Sequence, residues 1–188
     1  MVKKHKVSVA TDLCYLTGQD MQDYLHDVAI MQEFANANRA AMLNAIVNAM
    51  GGKILEHIQS IHNYIDLSDK ENIVLRKGAI SAKKGEVLVI PLNMRDGILI
   101  CKGKGNPEWN CSAPHGAGRL YSRSKAKEFF TVDEYRSAMN GIFTTCVNEN
   151  TLDEAPFVYK DYMEIMECIE PTVEIVERLI PIFNFKAN

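Results

Sequence analysis

His115 stands directly before Gly116-Ala117-Gly118, and three cations, Arg119, Arg123 and Lys125, follow it. These residue types in this order suit a phosphoryl or nucleotidyl group. Glycines leave no Cβ in the way of an approaching phosphate. Successive N–H groups in such a turn form an anion-binding nest, and arginines just beyond can grip phosphate oxygens in pairs. A neutral imidazole nitrogen is a competent nucleophile toward phosphorus, so a covalent histidine intermediate is chemically accessible. A lone His-Gly pair is more often a surface turn. The whole string from Asn110 to Arg123 says more than the pair.

Four other places carry side chains with chemistry. In His62-Asn63 the imidazole is a common metal-ligand type, and the amide beside it can orient a phosphate or a second ligand; a hydrogen-bonded structural histidine is the plainer reading. Arg76-Lys77-Gly78 is a small cationic turn, by composition a solvated loop. Lys102-Gly103-Lys104-Gly105-Asn106-Pro107 is a glycine-lysine loop without the Gly-Lys-Ser/Thr of a phosphate-binding P-loop, and is expected to be a flexible basic lip next to His115. Trp109, the only tryptophan, reads as core or rim.

The elements that must position these residues are legible in outline. Asp20 is a plausible N-cap for a long helix over 21–50, in which Tyr24, Val28, Met31, Ala35, Met42, Ile46 and Met50 form one apolar stripe. Gly51-Gly52 stops it. Residues 72–80 predict a strand running into a turn, 85–91 a strand ended by Pro91, and 98–101 a second strand. Residues 124–130 predict a helical turn. Thr131-Val-Asp-Glu134 is a capping box opening the helix with Tyr135 and Met139. A short strand and loop over 141–158, a helix over 160–170 and a strand-like segment over 173–185, with Pro181 inside, complete the chain. Helical and strand-like segments interleave without a βαβ rhythm, which predicts an α+β fold of mixed sheets covered by helices.

With 188 residues, the chain is expected to form a single domain over 1–188. A net charge of −3 gives no bulk attraction to nucleic acid, so any RNA contact needs a local patch. Five cysteines, odd in number and without CxxC spacing, suggest neither a disulfide framework nor a zinc knuckle. No apolar run reaches membrane-spanning length, and the opening residues lack a signal-peptide core. A soluble cytoplasmic protein with no membrane partner is expected.

The string Asn110–Arg123 resembles the signature of the RtcB family, the GTP-dependent RNA ligases that join an RNA 3′-phosphate or 2′,3′-cyclic phosphate end to a 5′-hydroxyl. The resemblance covers about Asp12 to Lys186 but only the C-terminal half of the family's length. It implies that His115 takes up GMP covalently, that His62 binds Mn²⁺, and that His62 and Asn63 touch GTP. It implies nucleotide contacts from Pro91, Leu92, Asn93, Met94, Gly116, Ala117, Gly118 and Lys186, and phosphate or RNA contacts from Arg76, Lys77, Arg119 and Arg123. The family's Pro-Gly-Ser-Met-like loop reads Pro91-Leu92-Asn93-Met94 here, and a serine expected after it is Ile98. The cofactors implied are Mn²⁺ and GTP, and the partners are RNA ends, from tRNA halves or damaged RNA. The family's further metal ligands lie in the half that has no counterpart here, so an N-terminal half supplying them is implied as well. The alternatives are a non-catalytic nucleotide- or RNA-end-binding module and a structural half of a split ligase.

Overall fold

The computed structural model describes residues 14–69 and 71–186. The chain divides into two compact units, Met1–His57 and Ile58–Asn188. In the first, helix α1 spans Gly18–Ala49. It starts two residues before Asp20: Thr17 is the N-cap, in an extended conformation and without a side-chain cap bond, so Asp20 lies in the first turn, where a carboxylate faces the positive end of the dipole. Gly51, at φ +66°, follows the helix in the left-handed conformation expected of a stop signal. None of α1's described residues is buried. Of the residues expected to form the apolar stripe, Tyr24, Met31, Met42 and Ile46 are all exposed.

The second unit holds small sheets and short helices, a mixed α+β architecture. Strands β1 (Asn63–Asp66) and β2 (Val74–Lys77) form an antiparallel hairpin with Asn63 opposite Lys77 and Tyr64 opposite Arg76. Gly78, at φ +68°, then breaks the strand, a conformation that glycine adopts without steric cost. The chain resumes as β3 (Ala79–Ser81), which pairs with β6 (Ser112–Pro114) so that Ala79 lies opposite Pro114. Together these two registers bring His62-Asn63, Lys77-Gly78 and His115 to one corner.

A three-stranded antiparallel sheet of β4 (Val87–Asn93), β5 (Gly97–Gly103) and β8 (Val173–Leu179) runs in the order β4-β5-β8. Pro91 does not end β4 as expected; the strand runs on to Asn93. A proline is tolerated there because β4 is an edge strand, and its pairing with β5 slips between Pro91 and Asn93. Helix α2 (Arg123–Phe129) precedes α3 (Val132–Ala138), whose Thr131–Glu134 capping box forms both reciprocal bonds. Strand β7 (Phe143–Thr144) pairs in parallel with β9 (Phe183–Asn184), tying the C-terminal segment to the middle of the chain. Between them lie two 3₁₀ turns, Glu149–Glu154 and Pro156–Val158, and helix α4 (Tyr162–Ile169).

Two apolar clusters support the corner. One joins Ile80, Leu88, Ile90, Leu99, Ala113 and Ala117 to Ile165 and Ile169 of α4. The other joins Met94 to Tyr135, Met139, Cys146, Leu152 and Val158. Ala117 belongs to the first, so the middle of the Gly-Ala-Gly turn is pinned into the core while His115 and Gly118 stay at the surface. Among the described residues, no helix is long and apolar enough to cross a membrane.

Candidate functional site

The Nδ1 atom of His115 lies 2.6 Å from the carbonyl oxygen of Gly78. A carbonyl can only accept, so Nδ1 carries a proton and donates, and in the neutral tautomer of that ring the lone pair is on Nε2. Gly78 is itself held in place: its N–H is shared between the carbonyl of His62 (2.9 Å) and Oδ1 of Asn63 (3.1 Å). The His62 ring meets the His115 ring edge to face, with centroids 4.9 Å apart. His62, Asn63, Gly78 and His115 are therefore one linked unit, built by the β1–β2 and β3–β6 registers.

A cleft of about 680 Å³ opens beside it. One wall is Pro91–Met94 and the other is His115–Arg119. The two are stitched by the N–H of Ala117 donating to the Pro91 carbonyl at 3.1 Å. Gly116 allows this approach, since a Cβ there would stand 3.1 Å from the same oxygen. Gly118, at φ +74°, turns the chain away into Arg119. Ile98 also lines the cleft, so the position that lacks the expected hydroxyl presents an apolar side chain.

The cations that line the cleft, Arg119 and Lys186, are organised by Glu154. Its Oε1 accepts from Nη2 of Arg119 at 2.5 Å, and its Oε2 accepts from Nζ of Lys186 and the hydroxyl of Tyr159, each at 2.9 Å. Burial works against the charge of Glu154. The bonds from Lys186 and Tyr159, with the charges of Lys186 and Arg119, outweigh it and hold the carboxyl below its ordinary range. Burial, with the Glu154 bond, pushes the Tyr159 phenol up to about 12, so it stays a donor. The Arg119 guanidinium also lies over the Tyr159 ring, 4.9 Å from its centroid.

Lys186 is delivered by a tertiary device. Its backbone N–H donates to Sγ of buried Cys146 at 2.8 Å, and Nδ2 of Asn184 donates to the Met94 carbonyl at 2.8 Å. Burial opposes a Cys146 thiolate, but the Lys186 N–H and the contacts with Thr145 and Thr144 outweigh it and lower the thiol's pKa.

The structure thus brings His62, Asn63, Pro91, Leu92, Asn93, Met94, His115, Gly116, Ala117, Gly118, Arg119 and Lys186 together around one histidine and its cleft. Arg123 stands just outside, largely exposed, with Nε 3.4 Å from Asp153. Lys77 is exposed on the other side of His115, where it lines a second cleft.

Arg76 is placed differently. It is buried, and its guanidinium donates to Asp66 (2.8 Å), the Tyr64 hydroxyl (3.0 Å), Ser112 Oγ (3.0 Å) and the carbonyls of Asn110 and Cys111. Its donors are committed to the fold, not presented to a phosphate. Burial disfavours the Asp66 charge, but hydrogen bonds from Ser68, Lys83 and Arg76 hold its carboxyl far below the usual carboxylate range. The glycine-lysine loop is likewise packed, with Lys104 on Glu170 and the Gly105 N–H on the Ala82 carbonyl.

Sequence reasoning missed Glu154, Tyr159, Asn184 and Cys146. Each reaches the site through tertiary pairing, and none stands in a local motif. A metal ion asks for more than the described residues offer. Divalent transition metals take three or more protein ligands, and no group of three His, Cys, Asp or Glu side chains able to hold one occurs among the described residues. His62 alone does not make the site.

The family model described as tRNA-splicing ligase RtcB matches residues 1–187. The chain is 36% identical over 185 residues to the RNA-splicing ligase RtcB of Escherichia coli (strain K12), covering 89% of this chain and 45% of that protein. It is 28% identical over 223 aligned positions to the tRNA-splicing ligase RtcB of Nanoarchaeum equitans, covering 98% of this chain and 47% of that one. The chain spans about half the length of the curated relatives it matches.

Proposed function

This chain belongs to the RtcB family, and from that premise we propose that it is the nucleotidyl-accepting half of an RNA ligase, with His115 as the nucleophile. The observation that carries the reading is the Nδ1–H bond of His115 to Gly78, which reserves Nε2 as the lone-pair nitrogen of the neutral ring, in a residue lining a cleft whose cations are Arg119 and Lys186. Relatives named RNA-splicing ligase supply the reaction class.

In the first step Nε2 attacks the α-phosphorus of GTP. The N–P bond forms, the bond to the bridging oxygen breaks and pyrophosphate leaves, while Nδ1 keeps its proton on Gly78. Holding that proton matters because the phosphorylated imidazole becomes cationic, and the Gly78 carbonyl stabilises it. Arg119 and Lys186, which line the cleft, offset phosphate charge. An oxygen of an RNA 3′-phosphate then displaces His115 from phosphorus and takes the GMP. Finally an RNA 5′-hydroxyl attacks the 3′-phosphorus, its proton passes to solvent, GMP departs and a phosphodiester remains. A 2′,3′-cyclic phosphate must first be opened by water.

The described residues do not make up a full ligand set for Mn²⁺, the metal that the family resemblance implies. His62 would be one ligand, and the rest would come from outside the described residues. The described residues would then form the nucleotide-accepting part of a site whose metal-binding part lies elsewhere. Titration calorimetry tests the nucleotide part. GTP should bind the chain, and Lys186→Ala should weaken that binding about tenfold, the worth of a partly buried charged contact. Equal affinity of the two proteins would remove Lys186 from the site.

A further inference from the structure

A second cleft, of about 780 Å³, lies on the other side of the His115–Gly118 segment. Its walls come from β2 and β3, the 3₁₀ turn Pro107–Trp109 and α4. His115 lines both clefts. A transfer centre with a nucleotide in the first cleft must admit its second substrate from elsewhere, and this opening is at hand.

The charged side chains of the second cleft are Lys77 and Lys160 against Glu108 and Glu164, besides the committed Arg76. These four cancel, so phosphate attraction alone does not hold an occupant here. What remains is an aromatic ring. Trp109 is 53% exposed at the rim, although an indole is among the side chains that gain most from burial.

The turn beneath that ring is rigid. Asn106 caps it by accepting from the Glu108 N–H at 3.0 Å, and Asn106 Nδ2 donates to the Pro171 carbonyl at 3.1 Å. The next two residues, Asn110 and Cys111, both have left-handed backbones, at φ 49° and 46°. Their carbonyls are the ones the buried Arg76 grips. Consecutive strained residues held by a buried cation fix an exposed indole beside a reactive histidine.

We propose that Trp109 is a stacking platform for the 3′-terminal base of the RNA, and that the second cleft receives this nucleotide with its 3′-phosphate toward His115. The inference rests on the ligase reading above. Base–aromatic stacking is indifferent to base identity, so the site reads an RNA end and not a sequence. Lys160, whose backbone N–H donates to the Gly118 carbonyl at 3.1 Å, ties α4's side of this cleft to the turn that carries His115.

Trp109 is the single tryptophan of the chain, so its fluorescence reports on this site alone. The probes are a 3′-phosphorylated hexaribonucleotide and the same strand with an abasic 3′-terminal residue. The intact strand should quench Trp109 saturably, and the abasic strand should bind about ten- to a hundredfold more weakly, the contribution of one stacked base. Read by polarisation of a 5′-fluorescein, Trp109→Ala should lose the same factor and Trp109→Phe should recover most of it, with GTP affinity unchanged. No quenching by the intact strand, or equal affinity of wild type and Trp109→Ala, overturns the proposal. GMP transfer to His115 is scored separately: an intact adduct with unaltered RNA affinity in Trp109→Ala sinks the stacking site alone, whereas stacking without any adduct upholds the site and sinks the ligase reading.

Discussion

Replacing Arg76 separates a structural cation from a phosphate ligand. The Arg76 side chain is 2% exposed and that of its partner Asp66 10%, at 2.8 Å. Truncation to alanine removes five hydrogen bonds, to one carboxylate, two hydroxyls and two carbonyls. Lys83 would remain on the same Asp66 oxygen at 2.9 Å, but it is 47% exposed and supplies none of the other four contacts of the guanidinium. Breaking a buried pair by removing one partner costs ~3–5 kcal/mol. For a unit of this size each kcal/mol lowers the midpoint by roughly 3–4 °C, so a fall of roughly 10–20 °C is expected. Asp66 sets the pH dependence. Its folded carboxyl is depressed, so its contribution is complete above the ordinary carboxylate range and is lost as pH falls below it. The gap between wild type and Arg76→Ala, measured by urea unfolding, should be full at pH 7 and shrink in acid. Lys77→Ala, next in sequence and exposed, should stay within ~0.5 kcal/mol. An Arg76→Ala protein of wild-type stability that fails to bind nucleotide or RNA would refute this and make Arg76 a ligand.

Three further outcomes follow from the same geometry. Glu154→Gln should cost ~1–2 kcal/mol at neutral pH, because Arg119 and Lys186 lose their shared anion; the depressed carboxyl makes this loss present above the ordinary glutamate range and absent well below it, as paired thermal melts across pH would register. Cys146→Ala should raise hydrogen exchange at the Lys186 amide while Cys146→Ser, which still offers an acceptor, keeps much of the protection; identical exchange in all three would discard the sulfur anchor. Gly118→Ala meets no neighbour within 4 Å, so it should cost only the ~1–2 kcal/mol of a left-handed alanine, and a larger loss in chemical denaturation would point to a contact the geometry lacks.

How much of this was legible in the sequence depends on whether the signal was local. The Gly-Ala-Gly string after His115 carried its own chemistry, and the Thr131–Glu134 box announced α3. Arg76 misled because burial leaves no mark on composition. The available clue was Asp66, placed where a hairpin brings it beside β2, and it needed the register to be read. Pro91 misled in the opposite sense: a proline usually stops a ladder, but an edge strand with a slipped pairing has a place for one. Glu154, Tyr159 and Cys146 were out of reach because parallel β7–β9 pairing and the 3₁₀ turns assemble them across tens of residues. Periodicity alone does not say whether apolar residues are covered, and on α1 Met31, Met42 and Ile46 are exposed.

His115 is proposed to accept GMP in a site whose further metal ligands lie outside the described residues. The most direct measurement is incubation with α-labelled GTP and Mn²⁺, with and without the N-terminal half of a relative added in trans, followed by a denaturing gel. An acid-labile label on the chain that is strong only with the added half, and absent from His115→Ala, is the predicted result. Label persisting on His115→Ala, or none on the wild type even with the added half, would contradict the account.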